Sequence, residues 1–166
     1  MEATKSSTKP FDTKKSIRKV AKIKDQKRVW AINSDGRSFE WSGKMERVSV
    51  IREGIPYQYI EIISEKLNLP VKSILAIFGI PQTTYNKKKS EHALLDSRDS
   101  ELIILITELI DYGLEVFNDE KDKFQRWLKK PNLALGGNTP INLLDTTTGI
   151  EEVKNSLNRI EFGNFA

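Results

Sequence analysis

Residues 127–144 read WLKKPNLALGGNTPINLL, and they decide the fold because they stop one helix, insert a kinked loop and start another. Phe124, Trp127 and Leu128 share one helical face, with Asp119 standing where an N-cap belongs. Pro131 has no N–H and clashes with the preceding turn, so the helix cannot run past it. Asn132 to Asn138 is therefore a loop. Gly136 and Gly137 take positive φ at little cost, which lets the chain reverse and bring its backbone close to another surface. Thr139 followed by Pro140 reads as an N-cap and first helical residue, opening a short helix through Ile141, Leu143 and Leu144.

Downstream, Thr148-x-x-Glu151 is a capping box that starts the last helix at Gly149. Ile150, Val153, Leu157 and Ile160 recur at three and four, which makes one buried stripe with Glu151, Glu152, Lys154 and Asn158 outside it. Gly163 ends the helix. Upstream, Ser100 to Phe117 is apolar on more than one face, so this helix is buried on several sides. Two uses follow: a central core helix linking both halves of the chain, or a helix whose second face makes a homodimer.

From Val48 the pattern is helical. Ile55-Pro56 opens a helix with Ile60, Ile63 and Leu67 on one face, and Pro70 starts another carrying Ile74, Leu75 and Phe78. Gly79 breaks it, and a third helix follows from Pro81 to Lys89 with Ile80 and Tyr85 turned inward. Helix, glycine turn, helix is the spacing of a helix-turn-helix, whose second helix lies in the DNA major groove. Its outward positions are Gln82, Thr83, Thr84, Asn86, Lys87 and Lys88, with Lys89 at the end. Gln and Asn can bond adenine bidentately, Thr can touch a thymine methyl, and lysines can neutralise phosphates. A solvated helix end with lysines favoured by the helix dipole gives the same local sequence.

Arg28 to Trp41 alternates apolar and polar residues around Ser34-Asp35-Gly36, the pattern of a β-hairpin with Val29, Ala31 and Phe39 on buried faces. Met1 to Lys27, rich in Lys, Ser and Thr, cannot bury enough surface to offset chain entropy and reads as a disordered basic arm. Within it Ile17, Val20 and Ile23 are spaced for a short helix on a partner.

Charge divides the chain. Residues 1–47 hold 13 Lys and Arg against 6 Asp and Glu, residues 48–98 hold 7 against 5, and residues 99–166 hold 7 against 12. The basic end suits a polyanion and the acidic end a protein. The organisation expected is a basic arm with a hairpin over 1–47, a helix-turn-helix domain over 48–98 and a small helical domain over 99–166. No apolar run approaches the roughly 20 residues that span a bilayer, and no signal-peptide pattern follows the basic N-terminus. The absence of cysteine leaves no disulfide framework or thiolate chemistry, and the expected setting is the cytoplasm.

The order of Phe117, Lys123, Trp127-Leu128, Pro131-Asn132, Leu135-Gly136-Gly137, Thr139-Pro140, Leu143-Leu144, Gly149, Val153, Leu157, Arg159-Ile160 and Gly163 resembles the toxin-binding domain of the Xre/MbcA/ParS antitoxins. The resemblance implies a mainly α protein in which an Xre-like helix-turn-helix bundle precedes the toxin-binding part. It implies a non-enzymatic, type II antitoxin that binds a RES-domain, NAD-consuming toxin, obstructs its active site and needs no cofactor of its own. It also implies operator binding, as a homodimer, to repress the antitoxin's own operon. The departures are Pro81 where Ser or Thr commonly caps, and Phe162 where His or Tyr commonly precedes the last glycine.

The obstructing surface expected is the end of the last helix and the tail, Arg159, Glu161, Phe162, Gly163, Asn164, Phe165 and Ala166, supported by the loop at Gly136 and Gly137. A tail projecting past a glycine with aromatics and a terminal carboxylate offers anchors, and Arg159 can pair bidentately with an acidic group. Arg159 serves equally as a salt bridge within its own domain. An enzyme is the rival class, but one histidine, His92, and no cysteine assemble neither a catalytic triad nor a typical zinc site. Asp119, Glu120 and Asp122 are accounted for by a helix start. The alternative function is a helix-turn-helix transcriptional regulator without a toxin partner.

Overall fold

The computed structural model describes residues 28–34 and 36–163. The basic arm, including Ile17, Val20 and Ile23, lies outside them. Two strands, β1 (Trp30–Ser34) and β2 (Arg37–Trp41), pair antiparallel with Trp30 opposite Trp41 and Ile32 opposite Phe39. Seven α-helices follow: α1 (Lys44–Glu53), α2 (Tyr59–Leu67), α3 (Val71–Phe78), α4 (Gln82–Ser90), α5 (Ser97–Val116), α6 (Lys121–Leu128) and α7 (Thr147–Glu161). Between α6 and α7 the chain makes two 3₁₀ turns, Leu133–Leu135 and Pro140–Leu143. The fold is mainly helical with one hairpin, as the periodicities predict.

The long helix α5 is the common core. Leu102, Ile103, Ile104, Ile106, Leu109 and Ile110 are all buried, because α1, α2, α6 and α7 pack around it. Its apolar faces are thus covered within one chain. Aspartate caps its start, with Asp96 Oδ1 accepting from Asp99 N at 2.8 Å. At its end Gly113 lets α6 close in: a Cβ there would lie 2.2 Å from the Phe124 ring.

A hairpin alone is marginal in water and needs a surface to pack on. Here α1 and α5 provide it. Trp41 is buried, stacks on Trp30 with ring centroids 6.2 Å apart, and donates from Nε1 to Glu108 of α5 at 2.8 Å. Arg28 pairs with Glu115 and stands 5.7 Å over Trp30. The buried phase of β1 differs from the one expected. Ile32 is inside and both Val29 and Ala31 are exposed, while Phe39 is inside as expected. A one-residue change of phase moves every side chain to the other face, and Ile32 outcompetes Val29 because only its face meets α1 and α5.

Several helix boundaries also differ from expectation. The α2 helix begins at Tyr59, because Pro56 is used in a bridge to Leu94 that ties the chain before α5 to the chain before α2. Ile60, Ile63 and Leu67 are nevertheless its buried face. Asp119 does not cap α6. It and Asn118 take left-handed φ values of 63° and 54°, and Asp119 N closes α5 by donating to Leu114 O at 2.7 Å. The last helix starts two residues early, with Thr146 as N-cap accepting from Gly149 N at 3.1 Å. In the run Thr146-Thr147-Thr148 each threonine is a chemically adequate cap. The 3₁₀ turn ending at Leu143 selects the first, since it crosses directly over Gly149.

Two side chains from α6 and its C-terminal end finish the C-terminal end of α2. Gln125 donates to Lys66 O at 2.9 Å and Lys129 donates to Asn68 O at 2.9 Å, satisfying carbonyls that a helix end leaves open. The middle and C-terminal parts of the chain are thereby joined by polar bonds as well as by α5.

Candidate functional site

Asn132 builds the loop that follows α6, and each of its polar groups is used. Its N–H donates to Asn138 O at 3.0 Å, closing the loop at its neck. Its carbonyl accepts from Leu135 N at 3.0 Å and Gly137 N at 2.9 Å. Its side-chain oxygen accepts from Ala134 N at 2.9 Å, and its Nδ2 donates to Ser156 Oγ of α7 at 3.1 Å. Gly136 and Gly137, at φ 64° and 80°, make the reversal, a conformation that disfavours any residue with a Cβ. Leu135 points in and is buried. Leu133 points out and is 95% exposed.

The C-terminal end of α7 lies beside this loop. Ser156, which receives Asn132, is buried, and Arg159 comes three residues later on the adjoining face of the same helix. Arg159 is exposed and makes no ion pair among the described residues, so its intradomain salt-bridge use is not realised there. On the opposite flank Tyr112 of α5 donates to Asn158 Oδ1, and its hydroxyl stands 2.5 Å from Glu161 Oε2. Burial first, then the bond to Glu161 and the charges of Glu161 and Glu115, push the Tyr112 hydroxyl well above its ordinary pKa, keeping it protonated. Phe162 is 65% exposed and Gly163 turns the chain at φ 67°. Asn164, Phe165 and Ala166 lie outside the described residues.

Of the residues expected to form this surface, the loop glycines, Arg159, Phe162 and Gly163 are all exposed. Glu161 instead faces Tyr112, where it fixes the helix end. Two side chains at this end of the molecule were not legible in the sequence. Leu133 reads as an ordinary loop residue, and only the fold shows it 95% exposed while Leu135, two residues on, is buried. Tyr112 bonds a partner 46 residues away, which no local pattern reveals.

A second surface lies on α4. Gly79, at φ 68°, ends α3, and Ile80 N donates to Leu75 O at 3.0 Å, so the turn into α4 is closed by backbone bonds. Tyr85 anchors α4 from beneath, and burial with the neighbouring Glu61 carboxylate pushes its pKa up to about 12. Gln82, Thr83, Thr84, Asn86, Lys87 and Lys88 are all exposed on the outer side. Gln82 Nε2 donates to Asn86 Oδ1 at 3.0 Å, so one turn of the helix presents a pre-set pair of carboxamides. Lys89 is different: it is half-buried and paired with Glu61 of α2, bracing α4 against the bundle. Gln58, just before α2, adds a contact at the end of α4, its Nε2 lying 3.1 Å from His92 Nδ1.

Among the described residues no group of three or more His, Asp or Glu side chains is placed to hold a metal ion, and no helix is long and apolar enough to cross a membrane.

Residues 46–107 match the Antitoxin Xre-like helix-turn-helix domain, and residues 113–163 match the Antitoxin Xre/MbcA/ParS C-terminal toxin-binding domain. The chain is similar to a protein named Antitoxin Xre from Photorhabdus laumondii, 31% identical over 115 residues, covering 69% of this chain and 78% of the relative. It is similar to an Antitoxin Xre from Yersinia enterocolitica, 29% identical over 119 residues, covering 72% of this chain and 80% of the relative. It is also similar to a Sphingobium protein named Prs ADP-ribosylating antitoxin, 29% identical over 130 residues, covering 74% and 82% of the two.

Proposed function

We propose, for a chain that belongs to the Xre/MbcA/ParS family of antitoxins, a division of labour between its two exposed surfaces: the α7 end and the Asn132–Asn138 loop dock on the toxin, and α4 reads operator DNA. The protein is an antitoxin of a toxin–antitoxin system with a helix-turn-helix part. Its toxin is a RES-domain enzyme that consumes NAD, and the antitoxin acts by obstructing the entrance to that enzyme's active site. The relative named for ADP-ribosylation supports an NAD-consuming partner, because transfer of ADP-ribose breaks the bond between ribose and nicotinamide in NAD.

The observation that carries the docking reading is the position of the loop. It is bonded to α7 through Ser156, one helical turn before the exposed Arg159, yet keeps Leu133, Ala134, Gly136, Gly137 and Asn138 in solvent. Such a surface offers a partner a preformed shape, so little conformational entropy is lost on binding. The toxin-binding residues are Gly136, Gly137, Arg159, Phe162 and Gly163 with the tail Asn164, Phe165 and Ala166, while Glu161 positions the helix end. Co-expression with a RES-domain toxin encoded in the same operon should rescue growth and yield a co-purifying complex. A toxin that stays active and separates from the antitoxin would overturn the reading.

Operator binding rests on the outer face of α4. Gln82 and Asn86 suit an adenine edge, Thr83 and Thr84 a thymine methyl, and Lys87 and Lys88 the phosphates. Reading two half-sites calls for a homodimer. Replacing Lys87 and Lys88 together with Ala should weaken binding to every DNA sequence. The slope of log K against log salt should fall by about 2, near one unit for each phosphate no longer neutralised. Lys89→Ala should act on stability instead, since Lys89 is engaged with Glu61. An unchanged salt slope in the double variant, measured by fluorescence anisotropy, would remove α4 from the DNA interface.

A further inference from the structure

We infer that Leu133 is the apolar anchor of the docking surface, a side chain that inserts into a leucine-sized hydrophobic pocket on the toxin. The inference rests on the toxin-docking reading above and adds the residue that dominates the affinity.

Leu133 is 95% exposed, the highest value among the exposed large apolar side chains of the described residues, and it adds nothing to the core they form. Single exposed leucines are ordinary on protein surfaces. This one differs in how it is held. It follows Asn132, whose backbone and side chain make five hydrogen bonds closing the loop and fixing it to α7. It opens a 3₁₀ turn whose third residue, Leu135, is locked inside. An inward Leu135 and a neck closed between Asn132 and Asn138 force Leu133 outward, at the crest of a loop whose two glycines carry no side chains to obstruct an approach. The result is a knob presented at low entropic cost, the arrangement from which interface hot spots are made.

The knob is apolar, so the surface that receives it is an apolar pocket. The surface is continuous with the segment matched by the family's toxin-binding domain, residues 113–163, which makes the toxin the occupant rather than a second copy of this chain.

The test uses the full chain and the RES-domain toxin of its operon, inactivated so that it can be purified, with affinity measured by calorimetry and the antitoxin's own size by light scattering. Leu133→Ala should weaken binding by roughly 10- to 100-fold, the range for removing a leucine from a buried contact, and Leu133→Asp by about 1,000-fold or more. Leu133→Met should stay within about threefold, since volume and polarity are nearly kept. Thermal midpoints of all three should match the unsubstituted chain because the side chain adds nothing to the core. If Leu133→Asp binds as tightly as the unsubstituted chain while deletion of residues 161–166 abolishes binding, the docking reading stands and the anchor is refuted. No complex with the unsubstituted chain would overturn both. Conversion of an antitoxin dimer to monomer by Leu133→Asp, with toxin affinity unchanged, would assign the knob to self-association and overturn the inference.

Discussion

Gly149→Ala should lower the thermal unfolding midpoint by about 10 °C, corresponding to roughly 3 kcal/mol of overpacking. The backbone at Gly149 passes so close to the preceding 3₁₀ turn that a Cβ would lie 2.0 Å from Leu143 O and 2.9 Å from Leu143 C. Neither is the movable end of a side chain. The same Cβ would meet Thr146 Oγ1 at 2.9 Å, disturbing the cap on which α7 starts. The crowding acts where Ile150, Val153 and Leu157 first enter the core, so relief requires the turn or the helix to move as a unit. Gly137→Ala is the matched control. No atom lies within 4 Å of its added Cβ, leaving only the cost of a left-handed φ, about 1 kcal/mol. Circular dichroism melts compare the two directly. A Gly149→Ala midpoint within about 2 °C of the parent would show that the crossing of the turn over α7 is not tightly packed.

Deleting residues 161–166 should abolish neutralisation of the toxin while leaving operator binding intact. The fold has reason to survive the loss. Asn158 keeps its bond to Tyr112, and the buried stripe of α7 ends at Leu157 and the half-buried Ile160, before the cut. What is lost is Glu161 with its bond to Tyr112, the exposed Phe162, the turn at Gly163 and the tail beyond it. For a toxin bound through this end, affinity should fall by about 1,000-fold or more, some 4 kcal/mol, as expected when several contact residues of an interface are removed together. Growth of cells carrying the toxin and the truncated antitoxin reads the outcome. Rescue equal to that by the full chain would take the tail out of the docking surface. Tyr112→Phe separates contact from positioning: it releases both Asn158 and Glu161 without removing any surface residue, so a partial loss there measures how far the helix end must be held still.

Helices were legible wherever an apolar stripe and its terminators lay close in sequence. The faces of α2, α3 and α7, the Gly79 turn and the buried Tyr85 could all be read from spacing and from Pro and Gly, because those signals act within a turn or two. The order of Trp, Leu, Pro, Asn, Gly and Thr residues from 127 to 149 pointed to the family for a related reason: each marks a local backbone requirement, and together they specify one loop.

Choices between locally equivalent options belonged to the tertiary structure. Three consecutive threonines could each cap α7, and the close crossing at Gly149 selected Thr146. Either phase of β1 satisfies the alternation of a strand, and contact with α1 and α5 put Ile32 inside. Lys89 resembles its lysine neighbours until Glu61 of α2 is placed beside it. The outward projection of Leu133 depends on Asn132 meeting Ser156, 24 residues away. Sequence by itself determined which segments with an apolar stripe become helices and which family they compose, since backbone sterics and periodic burial are local; α1, with Val50 its only buried residue, carried no such stripe and was not foreseen. Which side chains remain outside for a partner was decided only by packing, because exposure depends on residues distant in sequence and close in space.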